Sequence, residues 1–409
     1  WHLQQALSLA EDTPRIVFHE ITKGAITDAI NNPRTIDTDL VNAQQARRII
    51  DRLVGFEISP VLWRKISGAR SAGRVQSPVV RIVVEREREI SAHNSISSHK
   101  VKANLANNSN QSLEVKLSVD FKTKEEALSF AESVLSAALK VSSVETKPSK
   151  RSPKAPFITS TLQQEASQKL GFSVKQTMSI AQNLYREGAI TYMRTDSLNL
   201  SELAITAAQE MIVSKFGSEF HQTRRYKTNS SGAQEAHEAI RPTDLTKTSI
   251  LGLDDQSTKL YSLIYKRTLA SQMSDAQLQK TKVNIHISNR SEHFIADGEI
   301  LSFAGFLEVY DYMSSEDKLL PEVSKGDLLT LVDLASKESF SRAKPRYTEA
   351  SLVKEIEQMG IGRPSTFATM ITTVQDRNYV VKETREGVQR DYQSIEIEDG
   401  VISESIQTE

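Results

Sequence analysis

The spacing of apolar residues changes along the chain and divides it into helical and β-rich stretches. Residues 31–90 and 157–278 place apolar side chains at helical intervals. Residues 100–121 and 279–343 instead alternate apolar and polar side chains, as half-buried strands do. Because the two β-rich stretches flank a helical one, we expect a single β domain that is interrupted by a helical domain.

Turn signals and breaks place individual elements within these stretches. Asn107–Asn110 predicts a hairpin turn between strands Lys100–Ala106 and Leu113–Phe121. The run Val144–Pro156 carries three prolines and four basic residues, which is typical of a crossing between domains. The first thirty residues are predicted to form helix, strand (Arg15–Ile21) and helix, like the end of an α/β lobe.

One arrangement of two helices and a short apolar run occurs twice, over residues 160–193 and 349–381. Gly171 and Gly360 separate the two helices of each copy, and glycine suits the left-handed conformation of a helix end. Both copies are similar to winged helices, a common duplex-binding shape. Two unrelated helical hairpins would give the same pattern.

Charge and composition limit the possible partners and sites. The chain has 51 basic and 52 acidic residues, so its net charge of −1 predicts no polyanion partner. Residues 32–81 are locally basic, with nine Lys or Arg against four acids, which favours either a phosphate-facing surface or a solvated helix face. The lack of cysteine excludes disulfides and thiolate zinc sites. No apolar run approaches the ~20 residues of a membrane span and no secretory signal is visible, so we expect a cytoplasmic protein without a membrane partner.

The chemistry of the chain is concentrated in residues 190–197, Ile-Thr-Tyr-Met-Arg-Thr-Asp-Ser. Alternate residues of a strand share a face, so Tyr192 and Arg194 are expected to point into the same space. A phenolate can attack a phosphodiester while a guanidinium holds the phosphate oxygens. Asp196 is expected to have a supporting role. Plain packing between strands is the alternative explanation for a tyrosine and an arginine on one face.

These eight residues strongly resemble the active-site segment of the type IA DNA topoisomerases. With methionine at position 193, the segment resembles the version found in the bacterial topoisomerase I branch of that family. Three further stretches resemble family blocks and follow in family order. They are Ser71–Pro78 (SAGRVQSP), Gln234–Asp244 (QEAHEAIRPTD), and Gly360–Thr366 (GIGRPST) with Gln375–Tyr379 (QDRNY).

The resemblance implies roles for particular residues. Tyr192 would be the nucleophile that forms a 5′-phosphotyrosine, Arg194 would stabilise charge on the phosphoryl group, and His237 would hydrogen-bond the scissile phosphate. Ser77 would contact phosphate or cap a helix, while the role of Arg241 stays open. The residues expected to bind DNA are Arg74, Gln76, Ser77, Arg81, Arg363 and Asp196.

The implied fold is multidomain α+β, with helical, winged-helix-like domains joined by a β-rich arch in a type IA toroid. Trp1–Leu3 is similar to the sequence that follows the acidic Toprim core of the family, so most of that Mg²⁺-binding lobe would be missing. Asp37 and Asp39 are expected to be helix caps rather than metal ligands. The domains would be a Toprim-like tail (1–30), a helical DNA-binding domain (31–90 and 346–409), the arch (91–156 and 279–345) and the tyrosine domain (157–278).

The implied activity is ATP-independent relaxation of negatively supercoiled DNA through single-strand cleavage, strand passage and religation. The protein would act as a nucleoid-associated monomer, and the chain alone would bind single strands without relaxing DNA. A tyrosine recombinase is a first alternative, but its tyrosine comes last in the motif, whereas Tyr192 precedes His237. A non-enzymatic winged-helix protein that binds single-stranded DNA is the second alternative, and it leaves residues 190–197 unexplained.

Overall fold

The computed structural model describes six stretches of the chain, namely residues 1–18, 21–68, 71–73, 76–227, 238–310 and 320–409. These residues separate into two compact units, each built from three pieces of chain. The first, called the helical unit here, comprises residues 1–88, 153–274 and 345–383. The second, called the β unit, comprises residues 89–152, 275–344 and 384–409. The prediction of a multidomain fold with both helices and sheet is confirmed at this level.

The β unit is built on one antiparallel sheet of eight strands. Its strands are β1 (Ser97–Ala106), β2 (Ser112–Leu117), β3 (Leu139–Arg151), β4 (Ala276–Ile287), β5 (His293–Phe303), β6 (Leu328–Phe340), β7 (Asp391–Glu398) and β8 (Val401–Thr408). The strand order is β1-β2-β5-β4-β3-β6-β7-β8, and β1 also pairs with β6. The extra pairing closes the first six strands into a ring, in which β3 and β6 are paired at two positions only.

Alternating side chains and one helix fill the core of the β unit. On β2, Leu113, Val115 and Leu117 are buried while the residues between them are exposed, as the period of two predicts. The helix α5 (Lys124–Val134) adds Phe130, whose ring packs edge-on against Phe294 with 5.9 Å between centroids. The predicted hairpin between β1 and β2 is confirmed by their antiparallel pairing.

The structure corrects two predictions about strands. The predicted crossing between domains is present in Val144–Pro156, because the chain passes from the β unit to the helical unit between Ser152 and Pro153. Most of that stretch is nevertheless strand, since β3 continues to Arg151 and Pro148 lies opposite Gln279 of β4. In the described residues, β6 pairs with β3 only at its first two residues, so Pro148 removes no hydrogen bond on that side. In the predicted strand Arg15–Ile21, Arg15 forms only an isolated bridge with Arg34 among the described residues.

The prediction that residues 346–409 are helical was wrong after residue 383. Strands β7 and β8 form a hairpin there, and β7 pairs with β6 of the β unit. Ile395 and Ile397 are buried on alternate positions of β7, which is the period of a strand. Asp399 and Gly400 have positive φ, so the Asp-Gly pair makes the tight turn that this dipeptide favours.

The helical unit contains ten helices in the part of the chain that is described. They are α1 (His2–Ala6), α2 (Lys23–Asn31), α3 (Thr38–Lys65), α4 (Gln76–Ser91), α6 (Thr159–Leu170), α7 (Val174–Arg186), α8 (Glu202–Phe216), α9 (Asp255–Ser271), α10 (Glu349–Gln358) and α11 (Phe367–Asp376). None of the described helices has the length and hydrophobicity needed to span a membrane.

The two predicted helix pairs are present as α6–α7 and α10–α11. Gly171 and Gly360 have φ of +70° and +69°, as expected for glycines that end the first helix of each pair. The side chain of Ser173 accepts a hydrogen bond from the backbone of α7 and caps that helix. No regular strand is described at residues 189–193 or 379–381, directly after the two pairs, so the winged-helix detail stays a prediction.

The long helix α3 exposes much of its apolar surface. Its only described buried residue is Ser59, whereas Phe56 and Trp63 are 71% and 59% exposed. A surface of this kind is typical of a site that another part of a protein covers.

Candidate active site

Residues 190–197, called the tyrosine segment below, present alternate side chains to solvent. Thr191, Met193, Thr195 and Ser197 are buried, and the residues between them form the accessible side. On that side Tyr192 and Asp196 are half-buried and Arg194 is exposed. The segment is not a regular strand, because Ile190 makes only an isolated bridge with Pro242. The predicted common side for Tyr192 and Arg194 is nevertheless present.

Thr159, at the start of α6, fixes the buried side of the tyrosine segment. Its hydroxyl donates a hydrogen bond to the carbonyl of Met193 at 2.7 Å and accepts one from the amide of Thr195 at 2.9 Å. Its own amide donates to the carbonyl of Thr195 at 3.0 Å. Thr159 is fully buried, so these hydrogen bonds are shielded from water. They hold the backbone on both sides of Arg194.

A second support comes from residues 238–242. The amide of Thr191 donates to the carbonyl of Arg241 at 2.9 Å, and the Thr191 hydroxyl accepts from the Arg241 amide at 3.0 Å. The buried Arg241 guanidinium pairs with Glu238 at 2.6 Å. Another oxygen of Glu238 accepts from the amide of Ser201, the N-cap of α8. Arg241 therefore belongs to the framework behind Tyr192. The predicted site residues His237 and Arg74 lie outside the described residues.

The ring of Tyr192 packs against a second tyrosine. Its centroid lies 5.2 Å from that of Tyr185 in α7, and the two rings meet edge to face at 63°. Burial raises the pKa of Tyr185, and the neighbouring Tyr192 raises it further. Tyr185 therefore stays neutral, and its ring limits the orientations that the Tyr192 ring can adopt.

Glu357, near the end of α10, brings a carboxyl group close to the accessible side of the tyrosine segment. It accepts a hydrogen bond from the hydroxyl of Ser160 at 2.5 Å. Burial raises the pKa of Glu357, the Ser160 hydrogen bond opposes this change, and the charge of Asp196 adds to it. Sequence reasoning missed Glu357, although its position four residues after the buried Val353 places it on the apolar face of α10.

The candidate DNA-binding residues near the start of α4 are partly committed to internal contacts. Gln76 is buried, and its amide nitrogen donates to the backbone carbonyl of Ser71 at 3.1 Å. The hydroxyl of Ser77 accepts from the amide of Gly73 at 3.3 Å, in keeping with its predicted capping alternative. Gln76 therefore holds its own loop in this structure.

The other two candidate DNA-binding arginines are exposed. Arg81 pairs with Glu85 at 2.7 Å, and both side chains are largely in solvent. Surface pairs of this kind contribute little and are readily exchanged for another anion. Arg363 donates to the carbonyl of Gly362 at 2.8 Å and is otherwise accessible. Both guanidinium groups can therefore reach a phosphate.

The described residues do not supply a site for a divalent cation. The side chain of Asp37 accepts from the amide of Leu40 at 2.9 Å and caps α3, while Asp39 lies in the first turn. Within the described ranges, no group of three or more His, Asp or Glu side chains is placed to hold a metal. The carboxylates present here therefore do not fit Mg²⁺.

The sequence of the chain is similar to those of known DNA topoisomerases. A family model described as DNA topoisomerase matches residues 35–395. The chain is 43% identical over 410 residues to DNA topoisomerase 1 of Zymomonas mobilis, covering 94% of this chain and 33% of that protein. It is 45% identical over 397 residues to DNA topoisomerase 1 of Pseudomonas aeruginosa, covering 94% of this chain and 46% of that protein.

A solved structure supports the same similarity. Full-length topoisomerase I from Thermotoga maritima matches with a TM-score of 0.83 and 38% sequence identity, covering 94% of this chain and 64% of that one. The chain spans 33% and 46% of the length of the two curated relatives named above.

Proposed function

The chain belongs to the DNA topoisomerase family, and from this premise we propose that it carries the nucleophile and part of the DNA-binding surface of a type IA enzyme. The observation that carries the proposal is the tyrosine segment. Its buried side is fixed by hydrogen bonds, and its accessible side presents Tyr192 and Arg194 together. A rigid backbone beneath an accessible phenol suits covalent catalysis, because the reacting oxygen must be held in position.

In the proposed reaction, the Tyr192 oxygen attacks a backbone phosphorus of single-stranded DNA. The new bond joins the tyrosine oxygen to phosphorus, and the bond from phosphorus to the 3′ oxygen breaks. The tyrosine loses its proton, and the departing 3′ oxygen takes one up. Arg194 faces the same side and stabilises the charge that accumulates on the phosphoryl oxygens. Because the phosphotyrosine link retains the phosphodiester energy, the strand can be resealed without ATP.

The remaining candidate residues are proposed to bind and orient the strand. Arg81 and Arg363 are exposed and would neutralise phosphates. Arg74, which lies outside the described residues, is proposed to do the same. His237 would hydrogen-bond the scissile phosphate, and Asp196 would support Arg194. The ring of strands in the β unit is proposed to be the arch of the family, and the helix pairs its winged-helix-like modules.

Mg²⁺ is proposed as a cofactor of the whole enzyme, held by an acidic lobe outside residues 1–409. No step above passes through it, because the described carboxylates do not fit a metal. The exposed apolar surface of α3 is a suitable packing surface for such a lobe. The substrate of the whole enzyme is proposed to be negatively supercoiled DNA, and the protein is proposed to act as a nucleoid-associated monomer.

Two measurements on this chain and an extended form test the proposal. Residues 1–409 should bind a labelled single-stranded oligonucleotide more tightly than a duplex, with an affinity that falls steeply as salt rises. They should not relax negatively supercoiled plasmid with Mg²⁺, whereas a chain extended by the acidic lobe should. Single-strand binding by an extended chain that forms no covalent adduct would instead favour a non-enzymatic binding protein.

A further inference from the structure

The first turn of α6 carries two neighbouring hydroxyl groups that bond to different partners. Thr159 bonds to the backbone of the tyrosine segment on both sides of Arg194. Ser160 is 1% exposed and donates a hydrogen bond to the carboxyl group of Glu357 at 2.5 Å. The start of α6 therefore connects the backbone beside Arg194 to a carboxyl group on α10.

Glu357 lies on the face of α10 that is packed into the helical unit. Val353 and Ile356 on this helix are buried, and Glu357 itself is half-buried. Among the described residues, its hydrogen-bond partner is the neutral hydroxyl of Ser160 rather than a cation. Removing a carboxylate from water without a cation beside it is costly, so burial raises the pKa of Glu357.

A second carboxyl group acts on Glu357 from the tyrosine segment. Asp196 is half-buried and lies two residues after Arg194, on the same accessible side. Its charge raises the pKa of Glu357 further. Two carboxyl groups that interact lose their protons in separate steps, so over a range of pH the pair holds one proton. Among the described residues, Ser160 faces Glu357 from α6, and Asp196 is the charged group that acts on it.

We propose that Glu357, in its neutral form, is a positioning residue for DNA cleavage, which holds the start of α6 and leaves Asp196 as the single negative charge beside Arg194. When Glu357 ionises, the two carboxylates repel each other, and the added negative charge opposes the charge that builds up on the phosphoryl group. Glu357 acts through Ser160 and Asp196 and needs no contact with DNA. The inference rests on the proposed function, because it concerns the reaction at Tyr192.

The pH dependence of a ratio of cleavage rates is the first test, in a chain extended by the acidic lobe. Glu357→Gln keeps the oxygen that accepts from Ser160 but cannot ionise. Its cleavage rate divided by that of the wild type should be close to one at low pH. The ratio should rise to about ten as pH passes the folded-state pKa of Glu357, on the order of one added charge near a protein surface. The titrations of Tyr192 and His237 cancel, because both proteins contain these residues.

Glu355→Gln is the matched control for the rate ratio. Glu355 lies two residues earlier on α10 and has the same side chain, and Asp196 is not among the groups to which it bonds in the described residues. The cleavage rate of Glu355→Gln divided by that of the wild type should stay close to one at every pH. A pH-dependent ratio in this control would show that the effect does not come from the Glu357 site, and it would overturn the inference.

Two further variants separate positioning from a merely structural role. Ser160→Ala removes the hydrogen bond that opposes the rise in the pKa of Glu357, so the change in the ratio should move to higher pH. Asp196→Asn removes the neighbouring charge, so the change should move to lower pH. Each variant is compared with its own double mutant that also carries Glu357→Gln. The carboxyl carbon of Glu357, labelled with ¹³C and assigned by its absence in Glu357→Gln, gives the same pKa by NMR without any cleavage assay.

The outcomes distinguish failure of the inference from failure of the proposed function. If the extended wild-type chain forms no covalent adduct with DNA, the proposed function itself fails. If it cleaves DNA and the ratio for Glu357→Gln stays at one at every pH, the positioning role is wrong. A ratio that is below one by the same factor at every pH would show a structural role only, and it would also overturn the inference.

Discussion

Replacing Thr159 with valine tests how the tyrosine segment is held. Valine has nearly the shape of threonine, so Thr159→Val removes the hydroxyl without opening a cavity. It leaves the amide of Thr195 and the carbonyl of Met193 without the partners they have at 2.9 and 2.7 Å. Both groups are in the buried interior, where water cannot easily replace the hydroxyl.

The expected cost follows from these contacts. Two lost hydrogen bonds contribute about 0.5–1.5 kcal/mol each, and a buried group left unsatisfied costs about 1–3 kcal/mol. The carbonyl of Thr195 keeps its hydrogen bond from the Thr159 amide, so only some of the hydrogen bonds between Thr159 and the tyrosine segment are lost. We therefore expect the free energy of unfolding of the helical unit to fall by about 2–3 kcal/mol.

Thr177→Val is the matched control for this experiment. Thr177 is equally buried, but its hydroxyl donates to the carbonyl of Ser173, which already accepts the backbone amide of Thr177. Its loss should cost less than about 1 kcal/mol. Urea unfolding followed by circular dichroism, with hydrogen exchange at the Thr195 amide, measures the difference. Equal effects of the two substitutions would refute the idea that Thr159 fixes the tyrosine segment.

Three further outcomes follow from the site. Arg194→Ala, in a chain extended by the acidic lobe, should raise the barrier to cleavage by about 2–4 kcal/mol, measured with a labelled oligonucleotide, and wild-type rates would remove its role. Arg363→Ala should weaken single-strand binding and lower its salt slope by about one, and an unchanged slope would exclude a phosphate contact. Burial, with the charge of Asp196, raises the pKa of the Glu357 carboxyl above its ordinary value. The contribution of Glu357 to stability is therefore complete at low pH and is lost as pH rises through the folded-state pKa. Glu357→Gln should flatten that loss in pH-dependent unfolding, and an unchanged profile would contradict it.

Local periodicity predicted much of the fold because it depends on neighbours in sequence. Alternating apolar residues located β1 and β2, and Gly171 and Gly360 marked the ends of helices that the structure contains. The same period of two placed Tyr192 and Arg194 on one side of their segment. Each of these features is decided within a few residues of chain.

Contacts between distant residues could not be predicted in this way. The pairing of β1 with β6 closes the ring of strands across more than 200 residues, and no local pattern specifies it. Thr159 lies in α6 and Glu357 in α10, and both are far from the tyrosine segment in sequence. The residues around them therefore do not indicate that they lie close to it. The hairpin of β7 and β8 is different, because Asp399-Gly400 between alternating residues was a readable signal that the helical prediction overlooked.

The identity of the nucleophile is tested most directly by mapping the covalent adduct. A chain extended by the acidic lobe is incubated with labelled single-stranded DNA, trapped by denaturation and digested, and the modified peptide is sequenced by mass spectrometry. Tyr185→Phe is the matched control for Tyr192→Phe, because the two rings pack against each other. The account predicts a 5′-phosphate on Tyr192, retained in Tyr185→Phe and absent in Tyr192→Phe. An adduct that persists in Tyr192→Phe, or one that carries a 3′-phosphate, would contradict it.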